Sequence, residues 1–293
     1  MAVNRDKAGN IFPDRLFLFF RNRKSTAAGL ILVLVLSLAA ICAPLLCPHD
    51  PIGVDLQNNI SPPSREHLFG TDNLGRDVFS RVIFGTRIDI LASLFIVGTC
   101  VVAGVPVGIL AGWKGGFLDK ILVGTMDVFL ALPDLILAMV IVGAVGPGTF
   151  NAVLALSLLG WVRYARIARS STFSIKEKEF IETAKAGGAG DFYLITRHIL
   201  PNIIAPISTL ATLHFGHAVL SLAGLGFLGL GAQPPAPEWG TMLNEGRVFL
   251  RNAWWLSVFP GMAVMVTVLA FNLLGDGLRD LLDPRLRRRA VAL

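Results

Sequence analysis

Apolar residues in this chain gather into long runs separated by short polar stretches. Six runs stand out: about Ala27–Leu46, Ile88–Ala111, Ile121–Val145, Phe150–Val162, Pro201–Leu222 and Trp254–Leu274. Most approach the ~20 residues that a helix needs to cross the hydrocarbon core of a bilayer. The pattern predicts an all-α polytopic membrane protein with six transmembrane helices. The fourth run is short and predicts a helix that continues as a polar segment into the cytoplasm. The first run is longer than the apolar stretch of a signal peptide and lacks a small-residue cleavage site, so it reads as a retained span.

Composition supports this. Of 293 residues, 54% are hydrophobic and 16% are charged, against roughly 25% charged in soluble domains. The net charge of +6 would point to nucleic acid in a soluble protein. Here its distribution argues otherwise. Of the 26 Lys and Arg residues, 20 lie on the N-terminal tail, residues 113–120, residues 163–200 and the C-terminal tail. The positive-inside rule places those segments, and both termini, in the cytoplasm. Arg285, Arg287, Arg288 and Arg289 then read as a solvated tail touching anionic lipid. The chain divides into a tail (1–26), a first span (27–47), an extracytoplasmic segment (48–86), a five-helix core (87–275) and a basic tail (276–293). The core includes the segment 176–200 and an outer loop, 224–253.

Several patterns lead nowhere. Gly224, Gly226 and Gly229 match GxGxxG, but they follow an apolar span and precede a proline-rich loop, so they read as closely packed backbone and not as a dinucleotide site. Neither GxxxxGK[ST] nor HExxH occurs. Cys42, Cys47 and Cys100 show no metal spacing and read as packing residues. Other features stay open. Gly104 and Gly108 form a small-xxx-small pair suited to close helix packing. Pro106, Pro133, Pro206 and Pro260 predict kinked or broken spans whose freed backbone faces protein or water. Asp127 and Asp134 lie at membrane depth and are pathway candidates, with capping by Asp134 or an internal partner as the competing reading. His214 and His217 share a helix face. They suit substrate or metal contact, or hydrogen bonding inside the bundle. No metal site is assigned.

The segment FIETAKAGGAGDFYLITRHILPN, residues 180–202, interrupts two apolar runs. Lys176–Glu182 is polar and helix-friendly, Ala184–Ala186 continues the helix, and Gly187 and Gly188 end it. Asp191 is placed to cap a second helix, and Pro201 opens the fifth span. The expected shape is helix, turn, helix: a cytoplasmic arm suited to docking on another protein.

These residues carry a resemblance. Glu182-Thr183-Ala184, then Gly188, then Leu200-Pro201 is similar to the EAA loop of ABC-importer permease subunits. Thr183 replaces an alanine and His198 a usual isoleucine. His67–Asp77, Leu225–Pro235 with Glu238-Trp239-Gly240, and Asn272–Asp280 with Asp283-Pro284 resemble the "C-type" subunits of the dipeptide/oligopeptide group, which also serves nickel and glutathione importers. The resemblance implies the binding-protein-dependent importer permease fold in a prokaryotic inner membrane. It implies a second homologous permease subunit, two ATP-binding subunits, an extracytoplasmic substrate-binding protein and a peptide substrate. No cofactor is expected in this chain, because ATP and magnesium would bind the ATPase subunits. Glu179, Glu182, Thr183, Ala184, Gly187, Gly188, Asp191, Leu200 and Pro201 would couple to an ATPase. Asp72, Arg76, Asp77, Gln233, Glu238 and Trp239 would face the binding protein. The competing readings are a nickel, metal-chelate or glutathione permease, a channel, and a membrane-embedded enzyme using Asp127, Asp134, His214 and His217.

Overall fold

The structure is a computed structural model in which residues 24–282 are described; the predicted tail positions before and after them, including the basic residues 285–289 and Asp283-Pro284, lie outside the described residues. Among the described residues nine α-helical elements follow in order: α1 Lys24–Leu46, α2 Val78–Lys114, α3 Gly116–Leu130, α4 Asp134–Val145, α5 Thr149–Lys176, α6 Glu179–Ala186, α7 Asp191–Phe227, α8 Trp239–Gly246 and α9 Trp255–Leu282, with short 3-10 turns at Leu56–Asn58 and Arg247–Phe249. Among the described residues the only β pairing is an isolated bridge between Thr71 and Asp77.

Among those residues α1, α2, α7 and α9 are long and apolar enough to cross a membrane. The α3–α4 pair makes a fifth span if it acts as one. The first, second, fifth and sixth predicted runs lie in the four long helices. The fourth lies in α5, whose 28 residues run on into the polar half as expected. That half carries Arg163, Arg166 and Arg169, which lowers the helix's overall apolarity.

Three boundaries differ from expectation. The third run is not one helix: α3 and α4 meet at 82° across Ala131–Pro133. The other span prolines, Pro106, Pro206 and Pro260, sit inside uninterrupted helices. The second helix begins at Val78 and not near residue 88: the polar stretch 77–87, expected to belong to the outer segment, supplies its N-cap and first turns, with Asp77 accepting the Ser80 amide at 2.8 Å. Finally, Pro201 does not start a new helix. α7 runs through it, with a π-helical turn at Ile195–Ile199 in which the Leu200 amide reaches the Ile195 carbonyl. Proline lacks the N–H that would bond the carbonyl four residues back, and the wider turn just before it takes up the resulting slack.

The centre of the bundle is the packing of α2 on α5. Gly104 and Gly108 face α5 so closely that a Cβ on either would collide with the carbonyl oxygen of Trp161 or Ala165. The predicted small-residue seam therefore lies between these two helices, where backbones can approach directly. α9 packs on α7 and on α1. Outward-facing Ile31, Leu34, Val35, Leu38 and Ile41 of α1 are exposed, as a lipid-facing helix requires.

Candidate functional site

Three regions hold the predicted site residues. The first is the arm at residues 176–200. α6 begins after Lys178 and ends in a Schellman turn: the Gly188 amide bonds the Lys185 carbonyl at 2.9 Å and the Ala189 amide bonds the Ala184 carbonyl at 3.1 Å. Gly188 holds the left-handed position at φ +86°, which glycine takes without strain. The helix stop at Gly187 and Gly188 is therefore as expected. Asp191 departs from its expected capping role. It is the first residue of α7, makes no cap bond, and pairs with Lys114 at 3.4 Å.

The arm has two faces. Ile181, Leu194, Ile199 and Ile203 are fully buried against the bundle, and Ala184 packs beside them. Glu179, Glu182, Thr183, Gly187 and Gly188 are exposed, with Phe180, Phe192, Tyr193 and Leu200. A clamp missed by the sequence reading ties the arm to the end of α2. The Lys185 ammonium lies over the buried Trp113 ring, 4.7 Å from its centroid, and Lys176 donates to the Trp113 carbonyl at 2.6 Å. Cation–π contact at a partly desolvated site is worth about 0.5–2 kcal/mol. The signal was available as a tryptophan-lysine pair at a span's end, but its partner lies over 70 residues on.

The second region runs along the contact of α5 with the broken α3–α4 span and into the bundle beside α7. Arg163, Arg166 and Arg169 are spaced by three on one face of α5. They pair with Asp134, Asp127 and Asp119 of the broken α3–α4 span, the Arg166–Asp127 bond measuring 2.6 Å. Asp134 also accepts the Leu135 amide at 3.0 Å. His214 is buried and its Nδ1 lies 3.0 Å from the Tyr164 hydroxyl, while His217 meets Ser221 at 3.3 Å. Asp134, His214 and His217 line one small cavity, with Leu156, Leu159 and Ser221. Asp127 stands apart, exposed.

The third region joins the 48–77 loop to the loop after α7. Arg76 donates from Nε to Asp72 at 2.6 Å and from Nη2 to Glu245 at 2.9 Å. Arg81 lies 3.6 Å from Asp72 and 3.3 Å from Glu245. Glu238 caps α8, accepting the Gly240 and Thr241 amides at 2.7 and 2.9 Å. It faces Asp89 of α2, and burial raises its affinity for a proton. Trp239 donates from its ring to the Val82 carbonyl at 3.0 Å and from its amide to Asp89 at 3.2 Å. Thus Asp72, Arg76, Asp77, Glu238 and Trp239, expected to face a binding protein, are at most 5% exposed, because each is held by partners within the chain. Gln233 is the exposed one of the six. The false GxGxxG is explained here: a Cβ on Gly226 would collide with Glu238.

Comparison with known proteins decides the family. Residues 104–288 match the family model described as binding-protein-dependent transport system inner membrane component. The chain belongs to that family. The match to the N-terminal transmembrane domain of oligopeptide transport permease C over residues 15–63 places the permease in the dipeptide/oligopeptide group. It is 43% identical to a dipeptide transport system permease protein of Alkalihalophilus pseudofirmus, over 91% of this chain and 88% of that one. It is 40% identical to a probable D,D-dipeptide transport system permease protein of Escherichia coli, over 97% and 95%. A glutathione transport system permease protein of Pectobacterium atrosepticum is 42% identical over 98% and 96%. In fold, the permease resembles a chain of the MetNI methionine ABC transporter in an inward-facing conformation, with a TM-score of 0.58 and 19% identity over 70% of this chain and 97% of that chain. The permease is thus a multi-pass inner-membrane transport subunit of an ABC importer, not an enzyme.

Proposed function

We propose that this permease subunit imports di- and oligopeptides and forms half of a pathway completed by a second, homologous permease subunit. The two termini and the 176–200 arm face the cytoplasm, and α1, α2, α3–α4, α5, α7 and α9 make six spans. Two ATP-binding subunits, which hold ATP and magnesium, dock beneath, one of them on the arm. An extracytoplasmic binding protein delivers the peptide to the surface built by residues 48–86 and 224–253, with Gln233 exposed toward it.

The observation that carries this reading is the two-faced arm. Its inner face is buried and clamped to Trp113, while its outer face leaves Glu182, Phe180, Phe192 and Tyr193 exposed, with Phe180 and Tyr193 flanking the His198 ring. Aromatic side chains around an acid suit a protein groove. Glu179, Glu182 and Thr183 face the ATPase, Gly187 and Gly188 form the turn, and Leu200-Pro201 carry the motion into α7. Closure of the ATP-binding subunits pulls on a rigid arm whose two ends continue into α5 and α7, so the spans tilt together in an alternating-access cycle.

The peptide reading of the cargo is supported by the relatives' names and by the cavity chemistry. A peptide carries an ammonium and a carboxylate, and the pair Asp134–Arg163 beside His214 and His217 offers both signs of charge at the edge of one cavity. The glutathione permease relative supports a second reading, a γ-linked tripeptide as cargo. Uptake of labelled dipeptide, glutathione and nickel by a deletion strain carrying the complete operon separates them. Dipeptide uptake lost with the gene and restored by it is the expected result; restoration of glutathione or nickel uptake alone overturns the peptide assignment.

A further inference from the structure

A second cluster lies away from both the arm and the bundle cavity. His49 follows α1 by three residues, His67 lies in the long loop, and Asp77 is the N-cap of α2. Their donor atoms converge. His67 Nδ1 is 3.0 Å from one Asp77 carboxylate oxygen, and His49 Nδ1 is 3.8 Å from the other. The three ligand atoms lie within 4.8 Å of one another, and among the described residues no other group of histidine, cysteine, aspartate and glutamate side chains comes together this way. The Asp77 side chain is 1% exposed and that of His67 is 12% exposed. His49 Nδ1 is itself shielded from solvent and has no hydrogen-bond partner.

We propose that His49, His67 and Asp77 bind one divalent transition-metal ion of the zinc class. Tetrahedral zinc with bonds of about 2.0–2.1 Å sets neighbouring ligand atoms about 3.3 Å apart. The 3.0 and 3.8 Å contacts run to the two different oxygens of Asp77, and the three ligand atoms lie within 4.8 Å of one another, so rotation of the side chains must draw the ligand atoms together by up to about 1.5 Å to seat the ion. Two neutral imidazoles and one carboxylate suit zinc, nickel or copper. They do not suit calcium or magnesium, which take oxygen ligands. A buried imidazole nitrogen without a partner costs free energy, and a metal would satisfy it.

The frame around the cluster is already fixed. The His49 amide donates to the Ser80 hydroxyl at 3.2 Å, and the Ser80 amide donates to Asp77 at 2.8 Å. His67 is held in a turn with Ser64, whose hydroxyl accepts the His67 amide at 3.0 Å. Asp77 keeps lone pairs free beyond its bond to Ser80, since a carboxylate has about four acceptor sites; His67 gives up its own Nδ1 bond to Asp77 when the ion enters, its ring proton moving to Nε2 so that Nδ1 is free to ligate. The ligands come from three places along the chain, so the ion would staple the loop and the end of α1 to the start of α2. This assignment is independent of the cargo: it concerns the loop that frames the bundle, not the cavity inside it.

The test uses the full chain, co-expressed with its partner subunits, purified in detergent and stripped with a chelator. Titration with zinc chloride should fill one site per chain and raise the melting temperature, and X-ray absorption should show only nitrogen and oxygen neighbours at about 2.0–2.1 Å. His49→Ala keeps the Asp77 cap and the His67–Asp77 bond, so its metal-free melting temperature should match the parent. Its zinc affinity should fall by about tenfold or more, with the thermal gain abolished. His49→Gln serves the same end if the alanine variant does not fold. Equal zinc binding by parent and variants overturns the proposal, as do absence of bound zinc in the parent and displacement of zinc by millimolar calcium.

Discussion

The two ends of this bundle use charge in opposite ways. At the loop end, Asp72, Arg76, Arg81, Glu238 and Asp89 are buried and joined to one another or to backbone. At the arm end, Glu179, Glu182 and the aromatic side chains Phe180, Phe192 and Tyr193 are exposed. In the sequence both ends read as charged, glycine-containing motifs between apolar runs. Burial separates them. A buried charge needs its partners in place and so specifies the shape of the loops. An exposed acid flanked by apolar rings adds little to folding and is free to meet another protein. The loop end is a frame, and the arm end is a handle.

The largest expected effect tests the frame. Arg76→Ala leaves Asp72 and Glu245 without their main cation, and removing one partner of a buried pair costs about 3–5 kcal/mol. We expect a sharp fall in folded yield and melting temperature in detergent, with uptake lost because the subunit is missing from the membrane. If the protein instead accumulates and melts normally while uptake disappears, Arg76 belongs to a docking surface and the contrast between the two ends fails.

A smaller effect tests the turn of the handle. Gly188→Val forces a β-branched residue into φ +86°, a cost of about 1–2 kcal/mol. Beyond its two chain neighbours, no atom of the described residues lies within 4 Å of the added Cβ, so the strain is in the backbone. The subunit should insert and fold near normally, yet lose co-purification with its ATP-binding subunits. Glu182→Ala should fall lower still on the stability scale, within about 0.5 kcal/mol as for an exposed site, while ATP-driven uptake drops steeply. Melting and uptake measured on the same preparation distinguish the two outcomes. A large melting shift for Glu182→Ala would show that the arm is folded by its outer face.

Much of this was readable from the chain, and the reasons are local. Five of the six runs coincide with helices because hydrophobic length is a property of consecutive residues. The Gly188 turn and the Gly104–Gly108 seam follow from residue type at fixed spacing. The frame was not legible, because Arg76 and Glu245 stand 169 positions apart and Trp239 and Asp89 stand 150 apart; no local pattern pairs them. The same limit explains Asp127 and Asp134, whose arginine partners lie on α5. Prolines were a different failure. Pro106, Pro206 and Pro260 look as disruptive as Pro133, yet only Pro133 breaks its span. Asp134 follows it, and its bonds to Arg163 and to the Leu135 amide fix the start of a new helix where the others have no such anchor.

The smallest effect on uptake concerns the joint between handle and bundle. Lys185 is exposed along its length but lays its ammonium over the Trp113 ring. Lys185→Ala removes that contact and an attraction to Asp191, while Lys176 still holds the Trp113 carbonyl. The loss should be about 0.5–1 kcal/mol, too little to unfold the arm. If the arm works as a rigid lever, even this loosening matters: ATP hydrolysis by the assembled complex should persist while uptake per ATP falls. Lys185→Arg, which keeps the cation over the ring, should restore coupling, whereas Lys185→Met, which keeps the length without the charge, should not. Equal restoration by arginine and methionine would mean that packing, not charge over the ring, makes the joint.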